Sequence, residues 1–119
     1  MKIKPMLPSL KEKKRYISFE IVSKEKFSAD ETAEAVNSSV LELLGTLETG
    51  KAGILFLKDK FQNNAGVVKT GHRYVDKVRT ALALIKNIDN RDVVFRTRIV
   101  SGTLKKAINK FNEIKRTER

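Results

Sequence analysis

The chain has 119 residues, no cysteine, and a formal net charge of +11 from 25 Lys and Arg against 14 Asp and Glu. This length predicts a single domain over residues 1–119 that buries enough surface to fold unaided, and the lack of cysteine excludes disulfides, thiolate catalysis and cysteine-ligated zinc. So large a positive charge predicts an anionic partner, and nucleic acid is the first candidate.

The charge is unevenly spread along the chain. Residues 28–50 contain five acidic residues and no Lys or Arg, whereas the segments on both sides are basic. This acidic segment should face away from a polyanion or towards a basic protein. The N-terminal residues lack the apolar stretch of a signal peptide, and no apolar run reaches the roughly 20 residues that cross a bilayer. We therefore expect a soluble, cytoplasmic protein that contacts no membrane.

The beginning of the chain predicts a flexible tail and then a strand. Both prolines lie within residues 1–8, where they oppose regular structure. Residues 16–22 alternate in character, with Ile17, Phe19 and Ile21 on one side. This alternation is typical of a half-buried strand.

A helix should begin at Ser28, because Ser28 and Glu31 match the pattern of a capping box. The spacing of the apolar residues predicts a buried stripe formed by Val36, Val40, Leu43 and Leu47. Gly45 and Gly50 are the candidate ends of this helix, since glycine commonly terminates helices.

The middle of the chain predicts two strands joined by a loop. Residues 52–58 include four consecutive apolar positions, 54–57, so this strand is either interior or has one face open for a partner protein. The loop 61–66 contains Asn63, Asn64 and Gly66, which favour turns. A short strand over residues 66–68 should then complete a hairpin.

The second half predicts a helix, a strand and a last helix. Residues 72–88 have helical apolar spacing at Val75, Val78, Leu82 and Ile85. A turn at 89–91 precedes a strand over 92–100, with one face formed by Val93, Phe95 and Ile99 and the other by Val94, Arg96, Arg98 and Val100. Residues 101–103 cap the last helix, whose residues spaced for burial are Leu104, either Ala107 or Ile108, Phe111 and Ile114.

This order of elements indicates an α+β protein. Two interleaved β-α-β units make a four-stranded antiparallel sheet with helices on one face, the ferredoxin-like or RRM-like arrangement (β-α-β-β-α-β). The sequence leaves open whether the additional C-terminal helix covers the other face of the sheet.

Clustered Lys and Arg residues are the candidate RNA contacts. The third predicted strand has no aromatic residue, which disfavours base stacking on the sheet and favours recognition of phosphates by cations. We predict RNA binding by Lys11, Lys13, Lys14, Arg15, Lys69, Arg73, Arg96, Arg98, Lys105, Lys106 and Lys110. A solvated basic face is the alternative interpretation. Residues 70–72 and 101–103 are weaker candidates, because a helix start offers backbone N–H groups to a phosphate.

No combination of residues predicts catalysis or metal binding. His72 has no second histidine or cysteine with which to share a metal, and the aspartates of the second half are isolated in sequence: Asp59, Asp76, Asp89 and Asp92. Hydrolytic carboxylates and two-metal sites need close pairs. We therefore expect no catalytic residue and no metal site, and we interpret His72 as a helix-entry residue that caps or contacts phosphate.

Three stretches resemble the ribonuclease P protein component 2 family. They are LPSLKEKKRYI at 7–17, residues 66–84 with the core YVDKVR at 74–79, and SGTLKKA at 101–107 continuing to Phe111. Members of this family are the archaeal counterparts of a small Pop-type subunit of eukaryotic ribonuclease P and MRP. The likeness covers nearly the whole chain.

The resemblance implies an RNA-binding protein subunit of an RNA-based endonuclease, ribonuclease P, which removes 5′ leaders from precursor tRNA. It implies that the RNA of the assembled enzyme holds the Mg²⁺ and that the protein binds no cofactor of its own. The implied partners are ribonuclease P RNA, precursor tRNA and the TIM-barrel-like ribonuclease P protein component 3. The resemblance leaves the formation of a homodimer open.

Two other functions stay open from the residues alone. Another ribonucleoprotein or ribosomal component would share the same pattern of charge. A small ferredoxin-like enzyme of the acylphosphatase kind would need a phosphate-cradling loop with an arginine after the first strand, and residues 22–26 do not supply one.

Overall fold

The structure is a computed structural model that describes residues 13–117. The strands are β1 Lys14–Val22, β2 Leu55–Phe56, β3 Ala65–Gly71, β4 Asn87–Ile88, β5 Arg91–Asp92 and β6 Val94–Ser101. The helices are α1 Ala29–Ala52, α2 Val75–Ala83 and α3 Leu104–Thr117, and short 3₁₀ turns lie at Lys58–Lys60 and His72–Tyr74. The predicted tail, residues 1–8, and Lys11 lie outside the described residues.

β1 lies inside a four-stranded sheet with the order β2-β3-β1-β6. It is antiparallel to β3 and to β6, and β3 is antiparallel to β2. Helices α1 and α2 cover one face, which we call the inner face, and α3 lies on the other, the outer face. The predicted α+β fold, with a four-stranded antiparallel sheet and a C-terminal helix, is confirmed.

The inner face of β1 forms the middle of the hydrophobic core. Ile17, Phe19 and Ile21 are buried there, as the alternation predicts. The ring of Phe19 stacks on Phe95 with 5.4 Å between centroids and lies 6.0 Å from the ring of Phe56. Burial of each such side chain stabilises the fold by about 1.5–3 kcal/mol. The helices add Val36 and Val40 from α1 and Val78, Ala81 and Leu82 from α2.

Helix α1 begins as predicted and then departs from the prediction. Ser28 accepts a hydrogen bond from Glu31 N while the Glu31 side chain accepts one from Ser28 N, which completes the capping box. Gly45 has non-helical angles (φ +83, ψ 168) and interrupts the helix without ending it. The helix continues through Gly50 to its left-handed cap at Gly53.

The predicted stripe of α1 is wrong in its second half. Leu43 is 42% exposed and Leu47 is 72% exposed. The break at Gly45 interrupts the regular rotation of side chains around the axis, so the stripe cannot continue in phase beyond it. Leu43, just before the break, lies in a shallow groove between α1 and the end of α2 instead of in the core.

Helix α2 is shorter than the predicted helix over residues 72–88. The chain first forms the 3₁₀ turn His72–Tyr74, and α2 ends at Ala83. The predicted turn at 89–91 is present, because β4 and β5 pair across Asp89 and Asn90. Both residues are left-handed, with φ +51 and +64, a conformation that Asp and Asn tolerate better than most residues. The predicted strand 92–100 is therefore divided between β5 and β6.

Two further predictions, for the two edge strands of the sheet, are wrong in part. The strand predicted over residues 52–58 is reduced to the edge strand β2, where Phe56 is buried and Leu55 is 52% exposed. In β6, Ser18 pairs with Ile99 but Phe19 pairs with Thr97, so Arg98 is the extra residue of a β-bulge. The bulge changes the phase of the strand and places Ile99 on the outer face, opposite to the predicted side.

Helix α3 covers part of the outer face of the sheet. Ala107 and Phe111 are buried, and Ser18 Oγ donates a hydrogen bond to Ala107 O at 3.0 Å. Thr103 Oγ1 accepts a hydrogen bond from Lys106 N at 3.3 Å, which confirms the predicted cap at residues 101–103. The question left open by the sequence is thereby answered.

Candidate nucleic-acid interface

Three strand ends and one helix start meet at one end of the sheet. Tyr16 pairs with Lys69 on one side and with Ser101 on the other, and Lys14 pairs with Gly71. The backbone N–H of His72 donates to Lys13 O at 2.8 Å. This end therefore gathers predicted cations from separate parts of the chain, and we call them the basic end: Lys13, Lys14, Arg15, Lys69, Arg73, Lys105 and Lys106.

Contacts within the basic end hold the side chains of Arg15 and Lys69 in position. Arg15 Nη1 donates to Lys14 O at 3.0 Å. It also lies beside Gly102, 3.7 Å from the point that a Cβ on this glycine would occupy. Lys69 Nζ lies 5.9 Å from the ring centroid of Tyr16 on the outer face, a distance at which a cation is attracted to a ring. These contacts fix positive charge at the ends of β1 and β3, where a polyanion can reach it.

The other predicted cations lie away from the basic end. Arg96 Nη1 is 3.8 Å from Glu20 Oε1, and Lys115 Nζ is 3.9 Å from Glu20 Oε2. Arg98 lies in the bulge of β6, and Lys110 is exposed on α3. Lys11 is outside the described residues. RNA contact by each of the predicted cations stays a prediction, but the geometry brings only part of the set together.

At the weaker candidate, residues 70–72, several polar groups already form hydrogen bonds within the protein, and phosphate contact there stays a prediction. Thr70 is buried and its hydroxyl donates to Ala52 O at 3.1 Å. The N–H of His72 is already bonded to Lys13 O, and His72 Nδ1 lies 3.3 Å from the same oxygen. At residues 101–103 the side chains also serve the helix cap, since Ser101 Oγ accepts from Thr103 N at 3.3 Å.

Arg91 is a cation that the sequence does not distinguish from the others. Its Nη2 donates to Glu31 Oε1 at 2.8 Å, its guanidinium lies 4.4 Å from the ring centroid of Phe27, and Glu25 and Asp89 are 3.6 and 3.8 Å away. Desolvation lowers the pKa of Arg91, but the hydrogen bond and charge of Glu31 outweigh it, with Glu25 and Asp89 adding to the effect, and the pKa is raised. Arg91 therefore binds the β4–β5 hairpin to the start of α1.

Two surface features were not found by sequence reasoning. The first is a groove between α3 and the outer face of the sheet, which depends on how a helix packs and has no local signal. The second is an exposed apolar surface where Leu43 of α1 and Leu84 lie beside the acidic residues Glu42, Glu48 and Asp76, with Lys77 next to Asp76. We call the second the acidic leucine surface. The acidic segment 28–50 was a partial signal for it.

Residues 13–117 contain neither a three-ligand metal-binding group nor a membrane-spanning helix. In that part of the chain, no group of three His, Cys, Asp or Glu side chains is close enough to hold a metal ion. Across the same residues, no helix combines the length and the apolar character needed to cross a membrane.

A model of the Rpp14/Pop5 family matches residues 15–112, which is most of the chain and all elements from β1 to the middle of α3. The chain belongs to the Rpp14/Pop5 family. Among relatives named ribonuclease P protein component 2, those of Pyrococcus abyssi and Pyrococcus horikoshii are similar to this Rpp14/Pop5 protein. The first is 37% identical over 93% of this chain and 94% of its own, and the second is 40% identical over 92% of each.

One further named relative and one solved structure are also similar to this chain. The component 2 protein of Methanosarcina mazei is 37% identical over 92% of both chains. A chain in the cryo-EM structure of yeast ribonuclease MRP has a TM-score of 0.60 over 89% of this Rpp14/Pop5 chain and 96% of its own, at 12% identity. That structural likeness shows a shared fold.

Proposed function

We propose that this chain is a protein subunit of ribonuclease P that binds the catalytic RNA and assists it in removing 5′ leaders from precursor tRNA. The observation that carries the proposal is the match to proteins named ribonuclease P protein component 2, at 36–40% identity over more than nine tenths of the chain. The gathered cations of the basic end supply a physical means of RNA binding.

The basic end would bind RNA mainly through phosphates. Each phosphate neutralised by a Lys or Arg releases condensed counterions, which gives affinity without reading the base sequence. The cations project from strand ends and a helix start whose backbones are fixed by the sheet, so they are held in position before binding. Among residues 13–117, Tyr16 is the one aromatic residue on the outer face at this end of the sheet. This supports phosphate contacts over stacked bases.

In this proposal the chemistry of cleavage belongs to the RNA. The RNA of the assembled enzyme would hold the Mg²⁺, and the protein would stabilise the folded RNA without contributing a catalytic residue. A cytoplasmic location fits that role and stays a prediction.

We assign the acidic leucine surface to a protein partner, the TIM-barrel-like component 3. Leu43 and Leu84 are exposed side by side, with Glu42 next to them, on a chain whose total charge is +11. Exposed leucines rimmed by polar groups are typical of protein interfaces, and their acidic rim would repel RNA. The two kinds of partner would therefore bind at separate surfaces.

Reconstitution tests the proposed function. The RNA subunit and component 3 are assembled with and without this chain, and cleavage of precursor tRNA is measured at low Mg²⁺. We expect the chain to increase cleavage, because its cations replace part of the Mg²⁺ that screens the folded RNA. Equal cleavage in both assemblies would overturn the proposal. Recovery of a different RNA by pull-down and sequencing would instead identify another ribonucleoprotein.

A further inference from the structure

A groove of about 630 Å³ separates the second half of α3 from the outer face of the sheet. Ser18 and Val67 line its sheet side and Phe111 and Asn112 its helix side, and it is also lined by Asp59, Lys60, Gln62 and Asn63. Ligand pockets in proteins commonly have volumes of about 300–1,000 Å³. The groove lies towards the beginning of β3 and the end of α3, and so it is separate from the basic end.

Helix α3 packs on the sheet through Ala107 and Phe111, and the groove opens beside and beyond these contacts. Ala107 is fully buried and its carbonyl accepts the Ser18 hydroxyl. Further along, the contact with β1 is the long ion pair from Lys115 to Glu20, at 3.9 Å. The outer face beneath this half carries the small residue Ala65 opposite Glu20. The space between the helix and the sheet is therefore left unfilled.

The lining of the groove combines three kinds of chemistry. Its floor is apolar, with the part-exposed Ile108 beside the buried Val67 and Phe111. Its walls carry the side-chain amides of Gln62, Asn63 and Asn112, which both donate and accept hydrogen bonds. Its rim carries the cations Lys60, Lys115 and Arg116 against a single carboxylate, Asp59.

The rim cations leave charge available for a ligand. Lys115 is shared with Glu20, but Lys60 and Arg116 form no ion pair with any residue in the 13–117 part of the chain. An apolar floor accepts the face of a nucleobase, amides bond to its polar edge, and cations bind the adjoining phosphates. A purely apolar ligand would leave the amides and cations unused.

We propose that this groove binds one unpaired nucleotide of an RNA. The base enters between Val67 and Asn112, and the phosphate lies at Lys60 and Arg116. The inference rests on the proposed function, which supplies the RNA, and adds a site that distinguishes unpaired from paired segments. A free mononucleotide has the same chemistry and must be distinguished by experiment.

The test uses the full chain and two RNA hairpins, one fully paired and one with a three-nucleotide bulge. Asn112→Trp fills the groove and keeps every cation, and Asn109→Trp places the same ring on an exposed position of the same helix outside the groove. We expect the unmodified chain to bind the bulged hairpin about tenfold more tightly than the paired one, the scale expected from burying about 50 Å² of apolar surface. Asn112→Trp should abolish the difference, and Asn109→Trp should preserve it.

Two results would overturn the inference. One is equal affinity of the unmodified chain for both hairpins, and the other is the same loss of preference in both Trp variants. Gln62→Ala, at an exposed wall position, provides a second variant if Asn112→Trp does not fold. If AMP or UMP competes with RNA for the groove and the unmodified chain does not prefer either hairpin, the groove is assigned to free nucleotides instead.

The proposed function is measured separately. If the unmodified chain stimulates precursor tRNA cleavage but binds both hairpins equally, the result contradicts only the groove. If the unmodified chain does not stimulate cleavage, the result contradicts the proposed function itself.

Discussion

Asn64 connects three backbone segments at the edge of the core. Its Oδ1 accepts from Phe27 N at 2.9 Å, its Nδ2 donates to Glu25 O at 2.7 Å, and its own carbonyl accepts from Ile21 N at 2.7 Å. The residue is buried and left-handed, with φ +59. One side chain thus holds the connection between β1 and α1 against the turn that precedes β3.

We predict that Asn64→Ala lowers the free energy of unfolding by about 2–4 kcal/mol, because it leaves buried backbone groups unpaired and puts a Cβ without local hydrogen bonds in a left-handed conformation. Urea denaturation measures the change. Asn63→Ala is the matched control, since Asn63 is exposed and equally left-handed, with φ +51. It should cost only about 1 kcal/mol from backbone strain. Equal losses would show that the side-chain hydrogen bonds of Asn64 contribute little.

The turn at Asn63 and Asn64 was predictable, but the hydrogen bonds were not. Two adjacent asparagines favour a left-handed turn. Which of them is buried depends on where Glu25 and Phe27 lie after folding. The same limit applies to the candidate site, because the sequence shows that Lys13 and Lys105 are cations but not that β1 and α3 begin at the same end of the sheet.

At the scale of elements, α1 contains two glycines with opposite roles. Gly45 has φ +83 and ψ 168, a conformation outside the helix, while Gly50 lies within the helix. A Cβ added at either position would meet nothing within 4 Å. Any effect of adding a methyl group therefore comes from the backbone and not from crowding.

We predict that Gly45→Ala destabilises the protein by about 1–3 kcal/mol, because alanine is strained at that φ and ψ. Gly50→Ala should instead stabilise it by about 0.5–1 kcal/mol, the usual gain from glycine to alanine inside a helix. Thermal unfolding of the two variants, followed by circular dichroism, gives the signs. A gain in stability at Gly45 would mean that α1 is straight in solution.

Periodicity predicted most elements and missed the points where the backbone changes course. The alternation of β1 and the capping box of α1 are local signals, and both are confirmed. The bulge at Arg98 leaves the sequence alternation intact while shifting Ile99 to the outer face, so no pattern of residues could reveal it. The break at Gly45 was not predictable either, because glycine adopts both helical and non-helical φ and the sequence does not show which one occurs.

At the scale of the whole molecule, charge is separated by surface. The basic end lies where β1, β3 and α3 meet, and the acidic leucine surface lies on the helices of the inner face. This separation means that the proposed RNA surface and the proposed protein surface can be altered independently. Each can be tested with substitutions that leave the other surface unchanged.

We predict that Lys105→Ala together with Lys106→Ala weakens RNA binding and reduces the slope of log affinity against log salt by about 0.7–0.9 for each lost phosphate contact. Fluorescence anisotropy over a salt series measures the slope. Lys77→Ala together with Lys86→Ala removes the same charge from exposed positions outside the basic end. If both double variants reduce the slope equally, net charge rather than the basic end explains binding.

We predict that Arg96→Ala reduces the slope of log affinity against log salt by less than the loss of a full phosphate contact would. Its guanidinium already faces Glu20 at 3.8 Å, so part of its charge is neutralised within the protein. The same anisotropy series decides the point. A slope change as large as that of a lysine of the basic end would place Arg96 directly on a phosphate.

We predict that Leu43→Lys together with Leu84→Lys weakens binding to component 3 at least tenfold while RNA affinity is maintained or slightly increased, because new charges must be buried against the partner. Calorimetric titration and the RNA assay measure the two affinities. Val94→Lys together with Val100→Lys, at exposed positions on the edge strand β6, adds the same charge elsewhere. Unchanged affinity for component 3 would move the interface away from α1.

The position of β1 inside the sheet affects how the chain folds during synthesis. Both of its neighbours, β3 and β6, come from later parts of the chain, so β1 leaves the ribosome with two unpaired edges. The long loops that must close before either edge is paired predict slow folding. Until β6 is made, the nascent chain carries an open strand edge that invites pairing with other chains.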